Sequence, residues 1–313
     1  MSKLNIIFMG TPEFAETILD AISKKHNISL VVTQPDSYNH KTHKEEYSPC
    51  KKWAVEHNVE VFQPEKIKTD FGKILNTPCD LIVTAAYGQI VGNEVLNYPK
   101  YKCINVHGSI LPKYRGGAPI QRAIMNGDTE TGITIMYMDT KMDAGDILRI
   151  EKIPILETDD NGSIFEKLAN LASSIINDVI DDLVMGKIIS VKQNEDEVTF
   201  AKIITKDEEK IDFNKSSKEL NNIIRGLNPN PGVYFYLDDA MVKVYKAKAL
   251  DDATAYSAGT ISFIGKKTFG IACGDGTSLE VLELQMSGKN RIKAVEFING
   301  QGRKLLYIGK EIK

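Results

Sequence analysis

Short apolar runs, each ended by glycine or a polar residue, recur along the first half of the chain. They alternate with stretches whose apolar residues fall three and four apart, as on one face of a helix. This pattern predicts helices at residues 12–22 and 49–58 and strands at residues 4–9, 28–32, 59–62, 81–85, 103–106 and 133–138. Such alternation indicates βαβ units and a Rossmann-like, mainly parallel α/β sheet, in which ligands bind beyond the carboxyl ends of the strands.

The pattern changes in the second half of the chain. Apolar residues at helical spacing predict an amphipathic helix at 163–183, with Ser163 and Glu166 as its capping box. Farther on, a helix at 217–225 precedes five short apolar runs separated by Gly and Asp, which favours a small antiparallel β-barrel of the OB-like kind. The predicted organisation is an α/β domain at 1–190, a linker at 191–210 and a smaller β-barrel domain at 211–313.

Composition and charge are those of an ordinary globular protein. Of the 313 residues, 42% are apolar and 26% are charged, and no apolar run reaches the length of about 18 residues that a membrane span requires. The net charge of −3 conceals an asymmetry, because residues 206–313 carry 17 basic and 14 acidic side chains whereas residues 1–205 carry a net of −6. These values argue against indiscriminate coating of nucleic acid and are compatible with an anionic partner for the C-terminal part.

The cysteines and the first residues favour a cytoplasmic location. Four scattered cysteines without a CxxC pair predict neither a zinc site nor a disulfide framework. The opening residues MSKLNIIFMG lack the long apolar stretch of a signal peptide and are typical of a first strand. His40 and His43 lie in a polar loop without further ligands nearby in sequence, and so no metal is expected.

Several common motifs of nucleotide and acyl chemistry are missing from the sequence. GTPEFA follows the first predicted strand in place of GxGxxG, and Pro12 stands where the second glycine would approach a pyrophosphate. There is no GxxxxGK[ST] loop and no GxSxG elbow. Dinucleotide binding and serine-hydrolase chemistry are therefore disfavoured.

The densest cluster of chemistry-bearing residues is CINVHGSILPKYRGGAPIQR, at 103–122. Asn105 and His107 are two apart at the end of a predicted strand and so share one face of the sheet. Asp143 follows another predicted strand, with Gly145 beside it. An amide, an imidazole and a carboxylate so placed can stabilise an oxyanion and move a proton during acyl transfer. The residues alone fit equally well a buried, hydrogen-bonded histidine and an acidic turn.

Three segments resemble the formyltetrahydrofolate-dependent formyltransferases, namely FMGTPEFA, NVHGSILPKYRGGAPIQRAI and TGITIMYMDTKMDAGDI. The resemblance implies an α/β formyltransferase fold, 10-formyltetrahydrofolate as the formyl donor, and a catalytic triad of Asn105, His107 and Asp143. It also implies a folate site, in which Ile110 replaces the leucine usual in the family. The residues that the resemblance assigns to this site are Ser109, Ile110, Leu111, Pro112, Tyr87, Gln89 and Ile90.

The C-terminal half resembles the members of this superfamily that formylate methionine carried on initiator tRNA. The matching segments are IRGLNPNPGVYF and LELQMSGKNRIKAVEFING. The resemblance implies initiator Met-tRNA as the partner, a monomer, and a C-terminal domain that binds tRNA. The alternatives are formylation of a small amine, such as an amino sugar nucleotide or glycinamide ribonucleotide, and a non-enzymatic RNA-binding protein that keeps the fold.

Candidate tRNA contacts are basic residues in a loop and in two C-terminal strands. The family usually has an Arg- and Gly-containing basic run after VVTQPD, whereas this chain has SYNHKTHKEEYSP, which leaves Lys41 and Lys44 as candidates. Lysines and an arginine at near-alternate positions predict a basic stripe, and solvated surface is the alternative. The stripe residues are Lys243, Lys246, Lys248, Lys289, Arg291 and Lys293.

Overall fold

The computed structural model describes residues 3–39 and 43–312, which form two compact units. Within the described residues, the first unit extends to Pro119 and includes Glu130–Pro154 and Phe165–Lys202. The second contains Ile120–Thr129, Ile155–Ile164 and the chain from Ile203 onward. Each unit is thus assembled from segments that are distant in sequence, and residues 191–202 of the predicted linker belong to the first unit.

A seven-stranded sheet forms the centre of the first unit. The strands of this unit are, in chain order, β1 (Asn5–Gly10), β2 (Asn27–Val32), β3 (Ser37–Asn39), β4 (Lys44–Glu46), β5 (Val61–Phe62), β6 (Leu81–Ala85), β7 (Cys103–His107), β8 (Glu130–Tyr137) and β9 (Ile147–Pro154). The sheet order is β5-β2-β1-β6-β7-β8-β9, and β3 pairs with β4 in a separate hairpin. Its first five strands are parallel, whereas β8 and β9 are antiparallel to their neighbours. The mainly parallel α/β sheet is therefore confirmed.

Helices flank these strands along the chain. They are α1 (Glu13–Ser23), α2 (Pro49–Glu56), α3 (Gly72–Leu75), α4 (Asn93–Leu96), α5 (Pro119–Met125) and α6 (Asn161–Val184). The apolar face of α1 is buried, with Phe14, Ile18 and Ile22 at intervals of four residues. The central strands are almost entirely buried, and in β6 every residue is buried. This burial explains why their sequences are continuous apolar runs.

Helix α6 and strand β9 differ from the sequence prediction. Helix α6 begins at Asn161, because the carboxylate of Asp160 accepts from the Ser163 amide at 2.8 Å and the amide of Asp160 donates to the Ser163 hydroxyl at 3.1 Å. The predicted capping box of Ser163 and Glu166 is therefore wrong. Strand β9 was not predicted, because in ILRIEKIP charged residues interrupt the apolar ones, and only one of its positions is fully buried.

The second unit is built on an antiparallel sheet. Its elements are α7 (Ser217–Leu227), β10 (Val233–Leu237), β11 (Ala240–Leu250), β12 (Ile261–Ile264), β13 (Phe269–Ala272), β14 (Ser278–Met286), β15 (Ile292–Lys293), α8 (Ala294–Asn299) and α9 (Gly302–Leu305). The strand order is β10-β11-β14-β13-β12, and β15 pairs with β14. Its core includes Val244, Phe269 and Leu284, all at most 1% exposed. A smaller C-terminal antiparallel β domain is thus confirmed.

Candidate active site

A polar face lies where strand β7 ends, between β6 and β8. Asn105 is paired in register with Thr84 of β6, and His107 with Thr134 of β8. Directly paired residues lie on the same face of a sheet, and residues two apart on one strand share that face as well. The two threonines and His107 are at most 6% exposed. The sheet therefore presents a largely buried group of hydrogen-bonding side chains among apolar neighbours.

The amide of Asn105 is oriented by Thr84. The hydroxyl of Thr84 donates to Oδ1 of Asn105 at 2.7 Å. Within the described chain, no residue accepts a hydrogen bond from Nδ2 of Asn105. Its two N–H groups are therefore the donors that this site offers to a bound molecule.

His107 contacts a carbonyl on one side and a carboxylate on the other. Its Nε2 lies 2.9 Å from the carbonyl oxygen of Tyr114, and because a carbonyl only accepts, Nε2 carries the proton. Its Nδ1 lies 3.7 Å from Oδ2 of Asp143, which is longer than a hydrogen bond, and the two groups form an ion pair only when the ring is protonated on both nitrogens. The structure thus brings Asn105, His107 and Asp143 together at one end of the sheet.

The loop that carries Asp143 has an unusual backbone. Asp143 has φ of +51°, a left-handed conformation that is uncommon for residues other than glycine. The amide of Gly116 donates to Oδ2 of Asp143 at 2.8 Å. A Cβ on Gly145 would collide with the carbonyl oxygen of Tyr137, so only glycine fits there. Close backbone packing therefore fixes where the carboxylate lies.

The segment Ser109, Ile110, Leu111 and Pro112 follows β7 and is attached to β8. Ser109 is fully buried, and its hydroxyl donates to the carbonyl of Lys113 at 2.7 Å. Thr134 joins the segment to the sheet, because its hydroxyl donates to the carbonyl of Ser109 at 2.7 Å and accepts from the amide of Leu111 at 3.1 Å. Leu111 is buried and Ile110 is half-buried. The backbone of this predicted folate segment is thus held in one conformation.

The other predicted folate segment, 85–90, follows β6. The side chain of Gln89 joins it to the backbone of residues 64–67: Nε2 donates to the carbonyl of Pro64 at 3.2 Å, and Oε1 accepts from the amide of Ile67 at 2.8 Å. Ile90 is exposed. Tyr87 is buried, its hydroxyl has no hydrogen-bond partner in the described structure, and burial raises the pKa of that hydroxyl. The three predicted folate residues of this segment therefore differ in exposure: Tyr87 is buried, Gln89 is partly buried and Ile90 is exposed.

The hairpin of β3 and β4 contains one of the two predicted loop lysines. Lys44 is exposed and opposite Asn39 in the hairpin, whereas Lys41 lies outside the described residues. At the base of the hairpin, the ammonium of Lys51 pairs with Asp36 and lies 3.9 Å from the centre of the Tyr47 ring. The segment that the sequence left as a polar loop is therefore a short antiparallel hairpin.

Strand β11 presents three of the predicted stripe residues on its outer face. Irregular pairing between Val244 and Ala247 compensates for their uneven spacing, so that Lys243, Lys246 and Lys248 all lie opposite to the buried side. Lys246 and Lys248 are exposed, whereas Lys243 donates to the carbonyl of Pro231 at 2.7 Å.

Acidic residues interrupt this basic surface. Glu283 is opposite Lys246, and Glu280 is opposite Lys248. Arg291 is paired with Glu283 at 2.5 Å and lies 4.5 Å from the centre of the Tyr245 ring. The remaining predicted residues, Lys289 and Lys293, are exposed. The outer face is therefore a mixed surface in which lysines predominate.

Several residues of this site were missed in the sequence. Thr84 and Thr134 lie within apolar runs, where a single hydroxyl residue is the only signal. Arg115 and Gln193 are 78 positions apart, yet their side chains are joined by hydrogen bonds of 2.9 and 3.0 Å. Gln193 lies in the predicted linker, and nothing local in the sequence connects it with the site.

Among residues 3–39 and 43–312, no group of three or more His, Cys, Asp or Glu side chains is arranged to hold a metal ion. None of the helices in that part of the chain combines the length and apolar character needed to cross a bilayer.

The comparisons with known proteins agree with this architecture. Residues 3–180 match the family described as "Formyl transferase", and residues 203–302 match "Formyl transferase, C-terminal domain". The chain therefore belongs to the formyl transferase family, and the resemblance found in the sequence is confirmed.

Curated relatives specify the similarity further. Methionyl-tRNA formyltransferase of Lactobacillus johnsonii is 42% identical over 301 residues, which cover 95% of this chain and 96% of the relative. The protein of the same name from Bacillus cereus strain AH187 is 44% identical over 300 residues, with the same shares covered. The similarity thus includes both units.

Solved structures share the fold at low identity. WlaRD, a sugar 3N-formyl transferase crystallised with dTDP and 5-N-formyl-THF, has a TM-score of 0.67 at 20% identity and covers 93% of this chain and 100% of that one. HypX from Aquifex aeolicus in complex with tetrahydrofolic acid has a TM-score of 0.63 at 14% identity, covering 95% and 47%. At these identities the likeness establishes the fold alone.

Proposed function

We propose that this protein transfers the formyl group of 10-formyltetrahydrofolate to the α-amino group of methionine on initiator tRNA. The observation that carries the proposal is the similarity to methionyl-tRNA formyltransferases along almost the whole chain, C-terminal unit included. A formyltransferase for glycinamide ribonucleotide would need no such second unit. We further propose that it acts in the cytoplasm as a monomer.

The residues near the end of β7 fit a formyl donor that has polar edges. Asn105 has two N–H groups without a partner in the described chain, and the segment 85–90 has exposed positions at Ala86, Gly88 and Ile90. Gly88 has φ of +87°, a backbone conformation that favours glycine. We assign to the folate site Ser109, Ile110, Leu111, Pro112, Tyr87, Gln89 and Ile90. When bound, the folate supplies an activated formyl carbon.

Asn105 is the proposed oxyanion donor. Attack of a neutral amine on the formyl carbon places negative charge on the formyl oxygen, and a pre-oriented N–H donor stabilises that charge. Thr84 holds the amide of Asn105 so that both N–H groups are directed away from the threonine hydroxyl. The donor therefore needs no reorganisation when charge develops.

His107 and Asp143 are the proposed proton-handling pair. One oxygen of Asp143 is held by the amide of Gly116, and that same oxygen lies beside Nδ1 of His107. The carboxylate can accept the proton that the amine loses on forming the new C–N bond. Collapse of the tetrahedral adduct then breaks the bond between the formyl carbon and the folate nitrogen, and that nitrogen takes up the proton as tetrahydrofolate leaves. Both side chains are at most 15% exposed, so the proton is transferred in a site that excludes most water.

The proposed tRNA contacts are basic residues in both units. In the first unit they are Lys41 and Lys44. In the second they are Lys243, Lys246, Lys248, Lys289, Arg291 and Lys293. Phosphate contacts by such side chains position an RNA without reading its bases, and so they contribute affinity in a salt-dependent way.

One assay tests this function against the alternatives. Purified protein is supplied with labelled 10-formyltetrahydrofolate and, in parallel, with initiator Met-tRNA, an amino sugar nucleotide and glycinamide ribonucleotide. Labelled formyl-methionyl-tRNA is the expected product. Labelling of the small amines alone, or of none of the three acceptors, would overturn the proposal.

A further inference from the structure

A glutamine from the predicted linker bonds to the backbone of the loop that carries Asp143. Nε2 of Gln193 donates to the carbonyl oxygens of Asp143 and Gly145, both at 2.8 Å. We propose that Gln193 is a positioning residue that holds the Asp143 carboxylate in its reactive place. This inference rests on the proposed function and adds to it a residue outside the predicted triad.

The orientation of the Gln193 amide is set by a buried arginine. Oε1 of Gln193 accepts from Nε and an Nη of Arg115, at 3.0 and 2.9 Å. Because Arg115 only donates, the oxygen of the amide must face it and the nitrogen must face the loop. Arg115 is 4% exposed, and its guanidinium also pairs with Glu195 at 2.8 Å. The amide therefore has a single orientation in which all its hydrogen-bonding groups are used.

The stretch around Arg115 contacts each part of the proton-handling pair. The carbonyl of Tyr114 accepts from His107, the amide of Gly116 donates to Asp143, and the side chain of Arg115 fixes Gln193. The backbone of Arg115 is itself bonded to the chain that follows Gln193, with its amide donating to Thr199 at 2.9 Å. A contiguous set of contacts thus runs from the linker segment to the carboxylate.

The loop needs this support because its conformation is unfavourable by itself. A non-glycine residue in the left-handed region costs about 1 kcal/mol or more, and Asp143 adopts that region. Two hydrogen bonds from one amide to the carbonyls on either side of Ala144 oppose relaxation of the loop. Without them, the carboxylate would sample positions away from His107, and a displacement of about 1 Å at a reacting group can lower the rate by about 100-fold.

The principal test compares Gln193→Leu with Asn177→Leu. Asn177 is the matched control, because its amide also donates to a backbone carbonyl, that of Ala21, within the same unit. In single-turnover formylation of Met-tRNA, Gln193→Leu is expected to lower the rate about 10- to 100-fold with little change in the concentration of either substrate needed for saturation. Asn177→Leu is expected to keep the rate of the unmodified protein. Equal rates for the two variants would contradict the proposal.

A double-mutant cycle with Asp143→Ala separates positioning from general damage. If Gln193 acts through the carboxylate, Gln193→Leu should cost less than about 2-fold once Asp143 is alanine. An undiminished effect in that background would show that Gln193 does not act through Asp143. Gln193→Glu is informative as well: it can still pair with Arg115 but places a carboxylate oxygen against two carbonyls, and so should be at least as slow as Gln193→Leu.

Hydrogen exchange at Gly116 gives a readout that needs no substrate. Its amide donates to Asp143, so a displaced carboxylate should speed its exchange in Gln193→Leu, by about 10-fold, and not in Asn177→Leu. Unchanged exchange would contradict the positioning role. If the unmodified protein formylates no Met-tRNA, the proposed function fails, and this measurement still decides whether Gln193 positions the loop.

Discussion

The two proposed functional regions differ in how their polar groups are held. At the end of β7, His107 and Thr134 are buried, and each contacts named partners at fixed distances. On the outer face of β11, Lys246 and Lys248 are exposed and have opposing glutamates across the strand pair. In the first region, function depends on the positions of individual side chains. In the second, it depends on the positive charge of the side chains and on their exposure to solvent.

This difference has a physical consequence for mutation. Removing a pre-oriented donor in a buried site removes an interaction that is strongest in the transition state, and so lowers kcat. Removing one of several exposed cations weakens attraction to a polyanion and leaves the chemical step unchanged.

The largest effect is expected at Asn105. Asn105→Ala removes the two unpartnered N–H donors and should lower kcat about 100- to 1000-fold, as loss of a single oxyanion donor does. Steady-state kinetics with both substrates saturating provide the measurement. Asn97→Ala, which removes an exposed amide bonded only to its own helix, should leave kcat unchanged. Full activity in Asn105→Ala would remove this residue from the reaction.

A smaller effect on rate, with a loss of stability, is expected at Gly145. In Gly145→Ala the new Cβ collides with the carbonyl of Tyr137, so the loop must shift, at a cost of about 1–3 kcal/mol in unfolding free energy. Gly72→Ala is the matched control, because a Cβ there meets nothing within 4 Å and its φ is not positive. Urea unfolding of both variants, together with kcat, measures the difference. If Gly145→Ala and Gly72→Ala are equally stable, the close packing around Gly145 does not contribute to the stability of the fold.

The outer face of β11 should affect tRNA affinity and its salt dependence. Replacing Lys246 and Lys248 together by Gln should reduce the slope of log affinity against log salt by up to about 2, because each phosphate contact contributes about 1. The rate at saturating tRNA should not change. Lys266 and Lys267, which are exposed on the turn after β12, provide the control pair. If both pairs change the slope equally, the predicted stripe has no special role.

The smallest effect concerns the pH dependence of stability. Hydrogen bonds from Arg122 lower the pKa of Glu208 from 4.5 to about 2, and the guanidinium contacts both carboxylate oxygens, at 2.5 and 3.0 Å. Because the folded pKa lies below the unfolded one, this pair stabilises the fold above pH 4.5 and the contribution disappears as the pH falls through 2. After allowance for solvent screening, its size is about 1 kcal/mol.

Urea unfolding at pH 6 and near pH 2 measures that contribution. Glu208→Gln should be less stable than the unmodified protein at pH 6, and the gap should close at low pH. The exposed Glu311→Gln serves as the control. If the difference in unfolding free energy between Glu208→Gln and the unmodified protein persists at low pH, the substitution acts through packing and not through charge.

The features that can be predicted from the sequence are those that depend on residues close together in the chain. Contacts between residues distant in sequence cannot be predicted in this way. Strand β6 has the predicted bounds because five consecutive buried positions need only local information. Asn105 and His107 were singled out by their spacing on one strand. Gln193 could not be found, because its partner Arg115 is brought to it by chain packing over 78 positions. The role of the predicted triad in catalysis remains a prediction, since geometry brings the three residues together but does not measure their effect on rate.

Single-turnover formylation at saturating Met-tRNA tests the central contrast most directly. Asn105→Ala and the variant with Gln at 246 and 248 are compared with the unmodified protein under the same conditions. The account predicts a rate about 100- to 1000-fold lower for Asn105→Ala and an unchanged rate for the lysine variant. Similar rates for the two variants, or a slow lysine variant beside a fast Asn105→Ala, would contradict it.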